Sequence, residues 1–229
     1  MSWEDVSLHI EEVDLEWSPL ALLFRKLDVA SLNLKTPVLQ LHEKTEAANT
    51  TLSWPELPVG LASWQVEIEK TSLIQARYVS PQGETFVFDG EASGIGLDDG
   101  VVTVKEIRAS HLDYTAKSAL RLDLFKPQVA GDLSFFTDTS GSELRLLFEL
   151  KKGSPEQLLA GPISGRVHTG EQRDQHFSGH LLLGRENLVL TDLEIKQPAS
   201  ASLISGSLEL SWVETTVVAS GLEQEQQHN

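Results

Sequence analysis

The stretch LEWSPLALLFRKLDVASLNL, Leu15 to Leu34, decides how the rest of the chain is read. Its first residues alternate apolar with polar, the pattern of a half-buried strand. Ser18 then offers an N-cap, with Pro19 at the first helical position, and LALLFR has room for one or two helical turns. Alternation resumes at Leu27 and Val29, slips at Ser31, and continues at Leu32 and Leu34. A one-residue slip sends every later side chain to the other face, so a turn or a bulge must absorb it. The reading is strand, short helix, strand.

The same grammar runs in both directions from this stretch. Upstream, Val6, Leu8 and Ile10 alternate, and the phase slips after Glu11-Glu12 before Val13, Leu15 and Trp17. Downstream, period-2 pairs recur from Trp64, Val66 and Ile68 to Leu208, Leu210 and Trp212, including Leu112 with Tyr114. Turn residues punctuate them at Pro81-Gln82-Gly83, Asp98-Asp99-Gly100, Gly131-Asp132, Ser140-Gly141 and Gly184 to Asn187. A second helix signature, Ser154-Pro155 before EQLLA, predicts another short helix. Glu43 to Gly60 reads as a loop and a module boundary. The polar stretch RVHTGEQRDQHF, Arg166 to Phe177, reads as a long hairpin.

Composition narrows the function. The chain has 229 residues and a formal net charge of -16, with 34 acidic against 18 basic residues. Phosphate backbones are bound through Lys and Arg, so nucleic acid is not an expected partner. Docking on an anionic membrane surface is disfavoured for the same reason. With no cysteine, disulfides, thiolate chemistry and Cys-based metal sites are excluded. The longest apolar run, Pro19 to Phe24, is too short to span a bilayer. Glu4 and Asp5 follow the start at once, with no basic leader region. We expect an excised piece of a longer protein.

No catalytic constellation emerges, and an enzyme is not expected. His176 and His180 are the only closely spaced histidines, but i and i+4 on a strand lie roughly 13 Å apart, so no metal site is expected. GPISGRV lacks the spacing of a nucleophile elbow, and GEASGIG lacks the strand–turn–helix setting of a phosphate loop. Asp98-Asp99 reads as a hairpin turn. Asn49 to Thr51 is a formal glycosylation sequon that matters only in a eukaryotic secretory setting. No cofactor is expected.

A dozen or more amphipathic strands each present one apolar face. Two arrangements account for them: a closed sandwich that hides those faces, or an open sheet whose apolar face is a binding surface. Leucine dominates the inward positions, and only 7% of residues are aromatic. Such a lining is tolerant of shape and carries no hydrogen-bond instructions, which suits acyl chains or apolar peptide strands.

The opening segment, VSLHIEEVDLEWSPLALLFRKLDVASLNLKTPVLQLHEK, resembles the N-terminal unit of the TamB family within the AsmA-like group. The matching positions are Leu15, Trp17, Pro19, Leu22 and Leu23, then Leu27, Val29, Leu32, Leu34, Pro37, Val38 or Leu39, and Leu41. LPVGL (Leu57 to Leu61), GPISGRV and ISGSLEL are similar to later elements of that family. The resemblance implies an all-β fold: an elongated, lengthwise-folded antiparallel groove, or β-taco, with an apolar interior and one or two short helices. It implies a first unit at 1–45 and continuing groove strands at 57–229, together one continuous elongated domain. It implies phospholipid or acyl chains as ligand, a periplasmic location, and a TamA-like Omp85-type outer-membrane barrel as partner through parts outside this chain. A membrane anchor is expected in the full-length protein alone. The alternative is a chaperone-like scaffold that pairs its strand edges with client membrane proteins. The expected groove lining is Leu8, Ile10, Leu15, Leu27, Val29, Leu32, Leu34, Val66, Ile68, Phe86, Phe88, Val102 and Val104. It continues with Leu122, Leu124, Leu133, Phe135, Leu146, Phe148, Leu183, Leu190, Ile195, Leu208 and Leu210.

Overall fold

A computed structural model describes residues 2–3, 6–41, 53–55, 57, 60, 63–154, 156–169, 172–185, 187–196, 202–211 and 216–226. The fold is all-β. Its first strands are β1 (Ser2–Trp3), β2 (Val6–His9), β3 (Glu12–Trp17), β4 (Lys26–Lys35) and β5 (Val38–Leu41). Four more follow: β6 (Gln65–Val79), β7 (Thr85–Asp98), β8 (Val101–His111) and β9 (Tyr114–Asp123). The rest are β10 (Gln128–Thr137), β11 (Ser142–Lys152), β12 (Gln157–Thr169), β13 (Gln172–Gly184), β14 (Asn187–Lys196), β15 (Ser202–Ser211) and β16 (Thr216–Gln226). They belong to one sheet of order β1-β2-β5-β6 and then consecutively to β16, with β3 on β4 and β4 on β6 beside that path. No second sheet occurs among the described residues.

Neighbouring strands pair antiparallel, except that β4 and β5 run parallel to β6. The chain divides into two compact units. The first comprises Met1–Ala48 with Pro58–Ala119, and the second Asn49–Leu57 with Leu120–Asn229.

In the first unit, β3 and β4 form a hairpin whose connection is a short 3₁₀ helix, Pro19–Phe24. The expected helix is therefore present, in the tighter form common to short connectors. Proline stands at its start, but Ser18 makes no side-chain cap bond. Arg25 closes it in the left-handed conformation, its N–H donating to Leu22 O. The β7–β8 hairpin turns on Asp99 (φ 46°) and Gly100 (φ 74°), the paired positive angles of a type I′ turn.

Three expectations fail. The second helix does not form: Gln157 begins β12, and its N–H donates to Ser154 O in a turn that reverses the chain from β11. Leu158 to Ala160 are then consumed by the sheet, where pairing overrides local helix signals. Gly131-Asp132 is no turn but the interior of β10, with Gly131 opposite Phe148. The turn lies earlier, where Asp123 Oδ1 accepts the N–H groups of Phe125 and Lys126. Finally, Leu112 is no strand residue. It takes φ 50° in the turn between β8 and β9 and is 85% exposed.

Candidate functional site: two apolar sheet faces

Residues directly opposite on paired strands point to the same face, so register shows how far an apolar face extends. In the first unit, Leu27, Val66, Leu97 and Val102 form one cross-strand row over β4, β6, β7 and β8. Val29, Ile68, Ile95 and Val104 form the next, and Trp17 extends it onto β3.

All four strands then slip phase at the same level. Ser31, Lys70, Ser93 and Glu106 lie opposite one another, and Gly94 bends β7 there with φ 59°. Beyond them the apolar rows resume as Leu32, Thr71, Ala92 and Ile107, then Leu34, Leu73, Gly90 and Ala109. A slip in one strand alone would turn its apolar set against its neighbours. An aligned slip keeps the face continuous while each strand bends. The slip read at Ser31 is thus level with those of β6, β7 and β8, and against β3 it appears as a register shift between Ser31 and Val29. A second extra residue, Gln75 at φ 53°, precedes Ala76 opposite Phe88 and Tyr78 opposite Phe86. Leu39 lies beside Tyr78, and Leu8 beside Leu39.

The second unit repeats the design over more strands. Leu133, Leu146, Gly165, Phe177 and Ile195 form a row over β10 to β14. Leu181, Leu190 and Leu208 form another, and Leu159, Leu183, Leu188 and Leu210 a third. Leu150, Leu159 and Ile163 are the buried centre, with Trp54 packed against them. The Trp54 indole N–H donates to Leu124 O at 3.1 Å.

The other face carries the ion pairs in both units, although in the second it also holds Leu147 and the row Ala160, Leu182 and Val189. Lys26 bridges Glu67 at 2.8 Å, and Lys35 bridges Glu12 at 2.7 Å. The hydrogen bond to Lys26 holds the Glu67 carboxyl below its usual range, and the same bond raises Lys26. Glu12 raises Lys35 likewise. In the second unit Asp174 accepts from His168 at 2.7 Å, which lowers its pKa.

Burial separates these faces from a closed core. Among the described residues, the buried hydrophobics are Val29, Ala76, Leu150, Leu159 and Ile163, and no large side chain is completely enclosed. Apart from Gly90, the remaining row residues are half-buried or exposed. Water still reaches the apolar faces, so another apolar body has room to cover them.

Most of the expected lining residues fall on these rows. Leu8, Leu15, Leu27, Val29, Leu32, Leu34, Val66, Ile68, Phe86, Phe88, Val102 and Val104 do so in the first unit. Leu133, Phe135, Leu146, Phe148, Leu183, Leu190, Ile195, Leu208 and Leu210 do so in the second. Leu122 lies on β9. Two do not sit in strands: Ile10 links β2 to β3, and Leu124 belongs to the turn after β9, offering its carbonyl to Trp54. Trp212 and the 49–51 sequon lie outside the described residues.

Sequence reading passed over Leu159, Ile163, Phe177 and Trp54. Leu159 was hidden by the helix signature. Ile163 alternates with Gly161, Gly165 and Val167, a period-2 signal masked by small residues. Among the described residues, no group of three or more His, Asp or Glu side chains is placed to hold a metal. His176 stands opposite Arg166 and Lys196, which are not ligands.

Comparison with models of known families, with curated proteins and with solved structures found no match.

Proposed function

We propose that the apolar sheet faces bind phospholipid acyl chains and conduct them along the sheet, as the periplasmic segment of a TamB-like protein serving outer-membrane biogenesis. The observation that carries this reading is the set of unbroken cross-strand apolar rows left open to water. Each methylene that such a row covers contributes about 0.8 kcal/mol. A sixteen-carbon chain therefore gains on the order of 12 kcal/mol before the costs of binding. Leucine rows without polar anchors let a chain slide, as conduction requires. The inner-membrane anchor and a TamA-like outer-membrane barrel belong to the same proposal, through parts beyond this chain.

The test is mass spectrometry of what co-purifies with the chain after gentle isolation. Stoichiometric phospholipid or fatty acid is expected. A folded, lipid-free chain that also fails to take up fluorescent fatty acid would overturn the reading.

A second reading has its own support. Strand β3 pairs only with β4, and all six of its residues are exposed. Beside it, Leu23 and Phe24 of the 3₁₀ helix are 78% and 82% exposed. An open edge flanked by apolar side chains suits pairing with a client strand. Leu15→Pro removes an N–H donor from β3 and disfavours it as a pairing strand. It abolishes client capture in this reading and leaves lipid uptake by the second unit intact.

A further inference from the structure

On the polar face of the second unit, register places basic side chains side by side. Arg145 lies opposite Arg166, Arg166 opposite His176, and His176 opposite Lys196. The row crosses β11 to β14, about 14 Å from end to end at the usual strand spacing. Like charges directly opposite destabilise a sheet. Glu143, Asp174 and Glu194 offset that cost in the chain by itself, and they are the carboxylates an incoming anion must replace. The row lines a concavity of about 550 Å³, where Ser164 and Ser178 stand beside the cations together with Leu147 and the carboxylates of Asp132 and Glu194.

We propose that this concavity binds a dianionic phosphate, as a phosphomonoester or a pyrophosphate. The site's present anions set the requirement. Glu143 pairs with both Arg145 and Arg166, Asp174 with Arg166, and Glu194 with Lys196. These pairs are solvent-facing, so each is worth about 0–1 kcal/mol. An anion that displaces Glu143 from two guanidiniums needs more charge and more acceptor oxygens than a carboxylate, and a phosphate has both. Guanidinium forks match phosphate oxygens in pairs, and the serine hydroxyls add donors. The cations alternate along their strands with Leu146, Gly165 and Phe177 of the leucine row, and these residues also line the concavity.

The experiment titrates the whole chain with pyrophosphate, and separately with phosphatidylcholine vesicles with and without phosphatidic acid. Saturable pyrophosphate binding, weakened about tenfold by Arg166→Gln, is expected. Arg121→Gln, an exposed cation on β9, should leave it unchanged. Glu143→Gln should tighten binding severalfold, because it removes the competing carboxylate. Binding only to the phosphatidic acid vesicles, with the same Arg166 dependence, supports the site and identifies a lipid headgroup as the source. No binding in either arm overturns the proposal. So does equal weakening by Arg166→Gln and Arg121→Gln, or weaker binding by Glu143→Gln, which would mark the row as a structural ion-pair network. Far-UV circular dichroism controls the fold. If Arg166→Gln fails to fold, Lys196→Gln tests the other end of the row against the same outcomes.

Discussion

Replacing Phe135 by aspartate separates an open apolar face from a packed core. Phe135 sits on β10 opposite Leu144, on the apolar side of the second unit, and is 46% exposed. Full burial of such a side chain is worth about 1.5–3 kcal/mol, so the roughly half that is realised gives about 1–1.5 kcal/mol. The lower strand propensity of aspartate adds up to about 1 kcal/mol. Its carboxylate remains in water, so no buried-charge penalty applies. The expected cost of Phe135→Asp is therefore about 2 kcal/mol. Ile163→Asp is the contrast. At 7% exposed, it loses the full burial term and adds an unpaired buried charge of about 3–5 kcal/mol. That sum rivals the whole stability of an ordinary domain, about 5–15 kcal/mol. Urea unfolding followed by circular dichroism measures both. Displacement of a fluorescent fatty acid measures binding, and Phe135→Asp should weaken it by tenfold or more, since a covered carboxylate must lose its water. Equal destabilisation by the two substitutions would refute the open face. A folded Phe135→Asp chain with undiminished fatty-acid affinity would refute that face as the lipid site.

Three further outcomes are expected. Thr71 lies in the row between Leu32 and Ala92, and its Oγ1 is buried without a hydrogen-bond partner; Thr71→Val keeps the shape, removes the orphan hydroxyl, and should raise the unfolding free energy by about 1 kcal/mol. A Cβ on Gly165 would drive into the Phe177 ring and the Arg145 carbonyl. Gly165→Ala should therefore cost about 1–3 kcal/mol, while Ser164→Ala beside it stays near neutral; denaturant midpoints compare the two. Asp174 is held below its ordinary value of 3.8, first by the His168 hydrogen bond and then by the charge of Arg166. Its contribution is complete above that ordinary value and fades as pH falls through the lower folded one. NMR titration should find the Asp174 inflection below 3.8, and His168→Gln should move it back up.

Strand identity was legible wherever side chains alternate, because a half-buried strand writes its period directly into the sequence. Hairpin turns with their own chemistry, such as Asp99-Gly100, were equally legible. Signals failed where local preference and pairing disagreed. Ser154-Pro155 advertised a helix, but the residues after it carry the buried Leu159 and complete a row with Leu183 and Leu188. Leu112 continued an alternation yet serves a turn. Gly131 looked like a turn but pairs within β10 opposite Phe148, and Gly165 makes room for the Phe177 ring on the neighbouring strand.

What the sequence determined alone is the all-β class, the amphipathic character of each strand, and the acidic balance. These are local or additive properties, and no partner strand is needed to read them. Register belongs to the tertiary structure, since it depends on residues far apart in the chain. It aligned the four phase slips of the first unit into one line, joined separate leucine pairs into continuous rows, and set Arg145, Arg166, His176 and Lys196 side by side. It also left those rows half-covered. A strand's period says that one face is apolar; only the placement of every other strand decides whether water still reaches it.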